Sequence, residues 1–454
     1  MKTTSIHGMW SSRLMFVMAA TGSAVGLGNI WRFPYITSEN GGGAFVLVYL
    51  ACIALIGLPV LFAEIVIGRR GRMSPVNSLK ELATAAGASK AWSLIGWVGI
   101  LAGFLVLSFY SVVAGWTLSY GFDYVQQLFL GAPAITDPGG AFGGLLASPG
   151  KLIFWHGVFM ILTMGVVALG VEKGLERAVS ILMPMLFVLL LVLLGYGMST
   201  GHFQEAVGFL FSPDWSRVDG SMIVTAMGQA FFTLSLGMCA IMTYGAYLPS
   251  HVNVPATGVT VAFADTLVAL VAGLAIFPIV LSFGLDPEGG GAGFIFTSLP
   301  LAFNEMPYGI AYGMAFFLLL SVAAWTSSIS LLEPPTAYFV EATNFSRKQI
   351  ALFVALLTWV MGLASVFSLN VWSEYTIGGR DIMSAIEFVA ADIMLPVGGL
   401  LIALFAGWVL STSITREELD DKMPSWAFQL WLWLTRLFAP LAILVVLGGI
   451  LGLF

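Results

Sequence analysis

Between Gly22 and Pro34 the chain reads Gly-Ser-Ala-Val-Gly-Leu-Gly-Asn-Ile-Trp-Arg-Phe-Pro, directly after an apolar run from Leu14 to Ala20. The run reads as the start of a membrane span, and in lipid every backbone polar group must be bonded within the protein. Gly22, Gly26 and Gly28 weaken the helix there, and Asn29 and Arg32 follow at membrane depth. Non-helical backbone survives at that depth only inside protein or beside a cavity. Carbonyls freed from the helix can hold a cation, and freed amides an anionic solute group. The chemistry on offer is ion and solute binding in mid-membrane, which belongs to a transporter or a channel.

The elements that must position this stretch are membrane spans. The chain has 454 residues, of which 59% are hydrophobic and 9% charged, with mean hydropathy +0.95; soluble domains carry about 25% charge. Eighteen Lys plus Arg with no basic stripe exclude a nucleic-acid surface. Cys52 and Cys239 both lie in apolar runs and read as small core residues rather than a disulfide. Lys2 precedes an apolar run with no small-residue cleavage site after it, so no cleavable signal is expected.

Eleven apolar segments are long enough to span: roughly 14–36, 43–68, 92–126, 152–170, 178–198, 221–247, 259–283, 309–340, 349–370, 384–411 and 428–453. The third and eighth exceed one perpendicular crossing and should tilt or project. Between 284 and 306, the Glu288-Gly289-Gly290-Gly291 stretch and the apolar run to Phe303 read as a re-entrant or surface hairpin. With the N-terminus inside, the inner loops hold Lys2, Arg13, Arg69, Arg70, Arg72, Lys80, Lys90, Lys173, Arg177, Arg347, Lys348, Arg416 and Lys422. The outer loops hold only Lys151, Arg217 and Arg380. That bias puts the N-terminus in the cytoplasm and, after eleven crossings, Phe454 outside.

A faint internal symmetry appears. Span one breaks after Thr21, and span six carries Gln229-Ala230-Phe231-Phe232-Thr233-Leu234-Ser235-Leu236-Gly237-Met238, again small and hydroxyl residues in mid-membrane. A lone Gly237 would read as a packing glycine between helices. Broken helices at matching places in two halves instead point to a midplane binding site. Spans one and six open two blocks of five, and five is odd, so the second block is inverted. The fold expected is an all-α integral membrane domain over 1–454, with repeats at about 10–200 and 220–412 and an extra helix at about 428–453.

GSAVGLGNIWRFPY followed by Glu39 to Phe45 (ENGGGAF), QAFFTLSLG in span six and WTSSIS in span eight resemble the neurotransmitter:sodium symporter family in its bacterial, eleven-span form. The resemblance covers the chain from about Trp10 to the last span. It implies the fold of the bacterial leucine transporter, sodium-driven uptake of an amino acid or amine by alternating access, and a bacterial inner-membrane location.

Two sodium sites carry over by this resemblance. The first takes Ala24, Asn29, Thr233 and, where the family usually has Asn, Asp265. The second takes Gly22, Val25, Ala323, Thr326 and Ser327. All offer oxygen, as a hard cation requires. The bland reading of Thr326-Ser327-Ser328 is back-bonding to the previous turn. A carboxylate inside the membrane is costly and by default functional. Chloride-dependent relatives place a serine one turn after Asp265; here Ala269 stands there, so no chloride requirement is expected.

The same resemblance places a solute carboxylate on the amides around Leu27 and Gly28 and on Tyr110, and an ammonium on carbonyls near Phe232, Thr233 and Ser235. Ala24, Gly26 and Ser327 complete the polar side. Monoamine carriers have an aspartate where Gly26 stands, which favours a zwitterion. Val106, Phe232, Met238 and Leu331 form an apolar compartment for a hydrophobic side chain. The alternative is a small amino acid or osmolyte such as alanine or taurine. Arg32 and Glu387 align with the outer ion pair, with Phe232 as a lid, and Asp392 reads as a loop-edge charge. Inside, Glu341 aligns with the inner acid and His7 stands in the basic position, with Lys2 and Arg13 as alternative partners. Trp10 plugs the inner face and Tyr247 joins that network. Gly174 and Pro184 have the spacing of the hinge that unwinds span five.

Other classes lack support. A channel needs a continuous pore and usually symmetric rings. An enzyme needs an acid–base or metal constellation, and His7, His156, His202 and His251 are scattered without ligand spacing. Partners are thus a small amino acid, sodium and the bilayer; monomer and dimer remain equally open.

Overall fold

The computed structural model describes residues 5–284, 293–419 and 423–453. Lys2, the Glu288–Gly291 stretch, Lys422 and Phe454 lie outside the described residues. Among the described residues, nine helices are long and apolar enough to cross a membrane, and a bent pair makes ten. The pair is span one, Arg13–Ala24 and Gly28–Glu39, bent by 52°. Spans two to five are Gly43–Gly71, Lys90–Leu130, Pro149–Ala168 and Val171–Ser199. Span six is two short helices, Gly220–Thr233 and Ala240–Ala246, too interrupted to count as one crossing helix. Spans seven to eleven are Val254–Ser282, Gly309–Ala342, Arg347–Ser368, Ile382–Val409 and Ser425–Ile450.

Helix starts follow from ordinary capping. Ser12, Asp219, Asn253 and Asp381 each accept a backbone N–H three residues on, and Ser346 with Gln349 forms a capping box. Spans three and eight form the centre: of their most apolar eighteen residues, 78% and 83% are buried. For spans four and five the share is 33%, which places them at the lipid-facing rim.

Three sequence readings need correction. Span one stays helical through Gly22 to Ala24 and leaves the helix at Val25 (ψ 100°). One buried glycine costs a helix only ~1 kcal/mol, which packing overrides. Span five begins at Val171, ahead of the expected 178, because a π-helical turn, Val171–Glu176, precedes its α-helix. The apolar run ending at Phe303 is a helix, Phe294–Glu305, held by stacking of Phe296 on Phe142 (centroids 5.0 Å apart). A two-stranded hairpin, Thr376–Ile377 with Arg380–Asp381, was not anticipated.

Candidate functional site

The two broken spans brace each other at the centre of the bundle. Past Ala24, the Gly26 N–H donates to Asn29 Oδ1 (3.1 Å) and the Leu27 N–H to the Tyr110 hydroxyl (3.2 Å). Span six is non-helical from Leu234 to Cys239, where Ser235, Gly237 and Cys239 all take positive φ (54°, 79° and 61°). At Gly237 a Cβ would lie 2.2 Å from the Leu395 carbonyl oxygen, so no larger residue fits. Cross-links close the arrangement: Gln229 Nε2 donates to Gly28 O (2.8 Å) and Ser235 Oγ to Ser23 O (2.9 Å).

Glu64 on span two, fully buried, accepts from the N–H groups of Gly237 (2.8 Å) and Met242 (3.1 Å). It satisfies two donors that the break releases. Its one signal in the sequence is a carboxylate within an apolar run. Glu64→Ala orphans both donors at about 1–3 kcal/mol each. Thermal unfolding in detergent should therefore show a loss of roughly 2–6 kcal/mol, with Glu64→Gln intermediate. An unchanged midpoint for the alanine variant would refute the role.

Between the breaks lies a small cavity. Ala24, Gly26, Gly28, Tyr110, Ser235 and Ser327 line its polar side, together with Ser23, which the sequence reading missed. Val106, Phe232, Met238 and Leu331 line the rest. Leu27 and Thr233 are buried just behind this wall: Leu27 bonds Tyr110, and Thr233 faces Asp265.

Two oxygen-rich clusters flank the cavity. In the first, fully buried Asp265 accepts from Asn29 Nδ2 (2.7 Å) and from Thr233 Oγ1 (3.1 and 3.0 Å to its two oxygens). The Asn29 side chain thus turns its amide, not the expected oxygen, toward this cluster, because a carboxylate accepts only. In the second, Ser327 Oγ lies 3.3 Å from both the Gly22 and Val25 carbonyl oxygens. Thr326 Oγ1 back-bonds to Ala323 O (3.0 Å) and Val322 O (3.3 Å). Carbonyls, hydroxyls and one carboxylate form a donor set suited to a hard cation.

At one end of the cavity the Arg32 guanidinium sits 4.8 Å from the Phe232 ring centroid. Its ion pair is with Asp392 (4.0 Å), which corrects the loop-edge reading of that residue. Asp392 lies in a π-helical turn, Phe388–Met394, and Glu387, just before that turn, also acts electrostatically on Arg32. Glu387 makes no direct ion pair with Arg32 among the described residues.

At the other end His7 Nε2 meets Glu341 Oε1 at 2.9 Å, and Glu341 also accepts from the Ser74 N–H (2.7 Å), the Ser74 hydroxyl and Asn77 Nδ2 (2.7 Å). Arg13 instead donates to Thr257 (3.0 Å). Trp10 is buried edge-on against Tyr244 and donates its backbone N–H to Tyr247 O (2.9 Å). The Tyr247 hydroxyl donates to Glu333 (2.7 Å), which is ion-paired to Arg347, and its ring lies 5.8 Å from that of His7, so it links the Glu341 network to a second one. Glu333 was also missed, although Leu332-Glu333-Pro334-Pro335 shows a charge inside a span. In span five, Gly174 lies in the π-helical turn, where a Cβ would lie 2.1 Å from the Val166 carbonyl oxygen. Pro184 lies within the following helix.

The chain matches the sodium:neurotransmitter symporter family over residues 7–130 and 145–451. It is 36% identical over 450 residues to the uncharacterized sodium-dependent transporter YhdH of Bacillus subtilis (strain 168), covering 98% of each chain. It is 33% identical over 443 residues to an uncharacterized sodium-dependent transporter of Haemophilus influenzae, covering 96% of each. A solved structure, MhsT in complex with L-phenylalanine, is similar with a TM-score of 0.89 at 47% identity, covering 97% of this chain and 98% of that one. Two broken helices meeting over an oxygen-lined cavity, and a match along nearly the whole length, lead to one conclusion: this multi-pass membrane protein belongs to the sodium:neurotransmitter symporter family and is a transporter rather than an enzyme.

Proposed function

We propose that the protein carries a zwitterionic, hydrophobic L-amino acid into the cell, driven by sodium, by alternating access. The observation that carries this reading is the two-sided cavity: one wall of freed backbone, hydroxyls and Tyr110, the other of Val106, Phe232, Met238 and Leu331. The Leu27 and Gly28 amides and the Tyr110 hydroxyl take the carboxylate, as helix-terminal amides do. Carbonyls near Phe232, Thr233 and Ser235 take the ammonium. Gly26 leaves no acid for an amine without its own carboxylate. The L-phenylalanine bound by MhsT, a protein 47% identical, supports a large apolar side chain.

One sodium sits at Ala24, Asn29, Thr233 and Asp265, with the Asn29 amide turned over to offer its oxygen. A second sits among Gly22, Val25, Ala323, Thr326 and Ser327. Asp265 supplies the negative charge that chloride supplies elsewhere, so chloride is not required. Arg32 with Asp392 and Glu387, under the Phe232 lid, closes the outer path. The inner path is closed by His7–Glu341, Trp10 and Tyr247. The N-terminus is cytoplasmic, the C-terminus external, and the two five-span halves, about 10–200 and 220–412, are inverted repeats in a bacterial inner membrane.

Binding of each of the twenty amino acids and taurine to the purified protein, with and without sodium, tests the reading. Sodium-dependent binding should favour phenylalanine, leucine and their like. Binding of none, or of taurine or alanine above all hydrophobic amino acids, would overturn it. Gly174 and Pro184 give span five its hinge toward the second sodium. Replacing Pro184 by Ala restores a ladder bond and should slow sodium release several-fold while leaving equilibrium sodium binding nearly unchanged. Equal effects on rate and affinity would remove the hinge from the account.

A further inference from the structure

On the lipid-facing rim, spans four, five and eight frame an open groove. Ile161, Gly165, Leu182 and Trp325 line its apolar length, and Lys173 and Arg177 line it from the π-helical turn that opens span five and the residue after it. At Gly165 an added Cβ would meet nothing within 4 Å, so the groove is open there because a side chain is missing. Hydrocarbon alone satisfies such walls but leaves the two cations unanswered. Both are exposed, and their side chains make no hydrogen bond or ion pair among the described residues. Of the two carboxylates on the same turn, Glu176 already accepts from the backbone N–H and hydroxyl of Ser11, and Glu172 does not line the groove. The Trp325 indole N–H is buried without a partner among the described residues. An ester carbonyl is an acceptor that a phospholipid brings and a bare alkyl chain does not.

We propose that this groove is a binding site for an anionic phospholipid, with an acyl chain along Ile161, Gly165 and Leu182 and the phosphate between Lys173 and Arg177. Basic side chains at a membrane surface attract anionic headgroups over about a Debye length, and the apolar channel makes that attraction site-specific. Gly174 also lines the groove, so a bound lipid braces the π-helical turn of span five. That bracing bears on transport only if span five hinges as proposed above; the lipid site itself does not depend on it.

Native mass spectrometry of the purified full-length protein, titrated with phosphatidylglycerol or phosphatidylcholine of identical chains, is the test. Wild type should retain phosphatidylglycerol preferentially. Lys173→Ala/Arg177→Ala should weaken phosphatidylglycerol binding roughly 30-fold, the product of two surface cation contacts, and leave phosphatidylcholine unaffected. Gly165→Leu should fill the groove and lower retention of both lipids. Sodium-dependent amino-acid binding in detergent should stay within about twofold for both variants, which separates failure of this site from failure of the transport reading. Equal retention of the two lipids by wild type, or phosphatidylglycerol binding unchanged in the double variant, overturns the proposal. So does a loss in Gly165→Leu alone, because the groove would then take any acyl chain.

Discussion

Asp265→Ala is expected to lower sodium affinity by roughly two to four orders of magnitude and to abolish sodium-driven uptake. Asp265 is fully buried and gathers Asn29 and Thr233 around its carboxylate. Removing one member of a buried charged cluster costs about 3–5 kcal/mol, because its partners are left uncompensated. Here the uncompensated charge would be the bound sodium. A sodium titration of amino-acid binding reads the effect directly. Asp265→Asn keeps the shape and an acceptor oxygen, so it should fold like the parent and still lose much of the sodium affinity. The same carboxylate underlies a companion expectation. Replacing chloride by gluconate should leave wild-type uptake unchanged, since Ala269, one turn on, offers only a methyl group. Retained sodium affinity in Asp265→Ala, or a large loss in gluconate, would sink the assignment.

Gly26→Ala is expected to weaken amino-acid binding roughly 100-fold or more. A Cβ at Gly26 would lie 2.5 Å from Ser327 Oγ and 2.8 Å from the Tyr110 hydroxyl. Ser327 can yield only by turning its hydroxyl from the Gly22 and Val25 carbonyls, and Tyr110 only by leaving the Leu27 N–H. Overpacking costs ~1–3 kcal/mol, and a lost hydrogen bond to a charged group a further ~1.5–3 kcal/mol. One methyl thus disturbs the solute carboxylate and the second sodium together. Scintillation binding of labelled phenylalanine at saturating sodium measures the loss, and the unfolding midpoint without sodium checks the fold. Affinity within threefold of wild type would mean that Gly26 does not face the solute.

Much of the architecture was legible in advance. The spans lie close to where long apolar runs placed them, because in lipid a backbone can satisfy itself only as helix. The break in span one was legible too, through Gly26 and Gly28, although its start was placed at Thr21 instead of Val25. The break in span six was less so. Gly237 marked it, but Ser235 and Cys239 also take positive φ, which nothing in their residue types announces. Glu64 and the Ser235–Ser23 bond hold that conformation from elsewhere in the chain.

The gates show the same division. His7 and Glu341 were matched by resemblance and do meet. Arg32 was matched to Glu387, yet its ion pair is with Asp392. Both carboxylates of span ten act on Arg32, Asp392 from within the π-helical turn Phe388–Met394 and Glu387 from just before it. Glu333 meets Arg347 across the loop joining spans eight and nine, a partnership that depends on how those helices turn.

By itself, then, the sequence determined which segments cross the membrane, that span one breaks within its glycine-rich stretch, and which residue types could bind a cation and a zwitterion. Composition and local conformational preference suffice for those statements. The tertiary structure alone decided that Asn29 turns its amide to Asp265, that Glu64 caps the break in span six, and that Arg32 pairs with Asp392. Each of these joins residues far apart in the chain. Their energies depend on helix rotation and depth, which only the packed bundle sets.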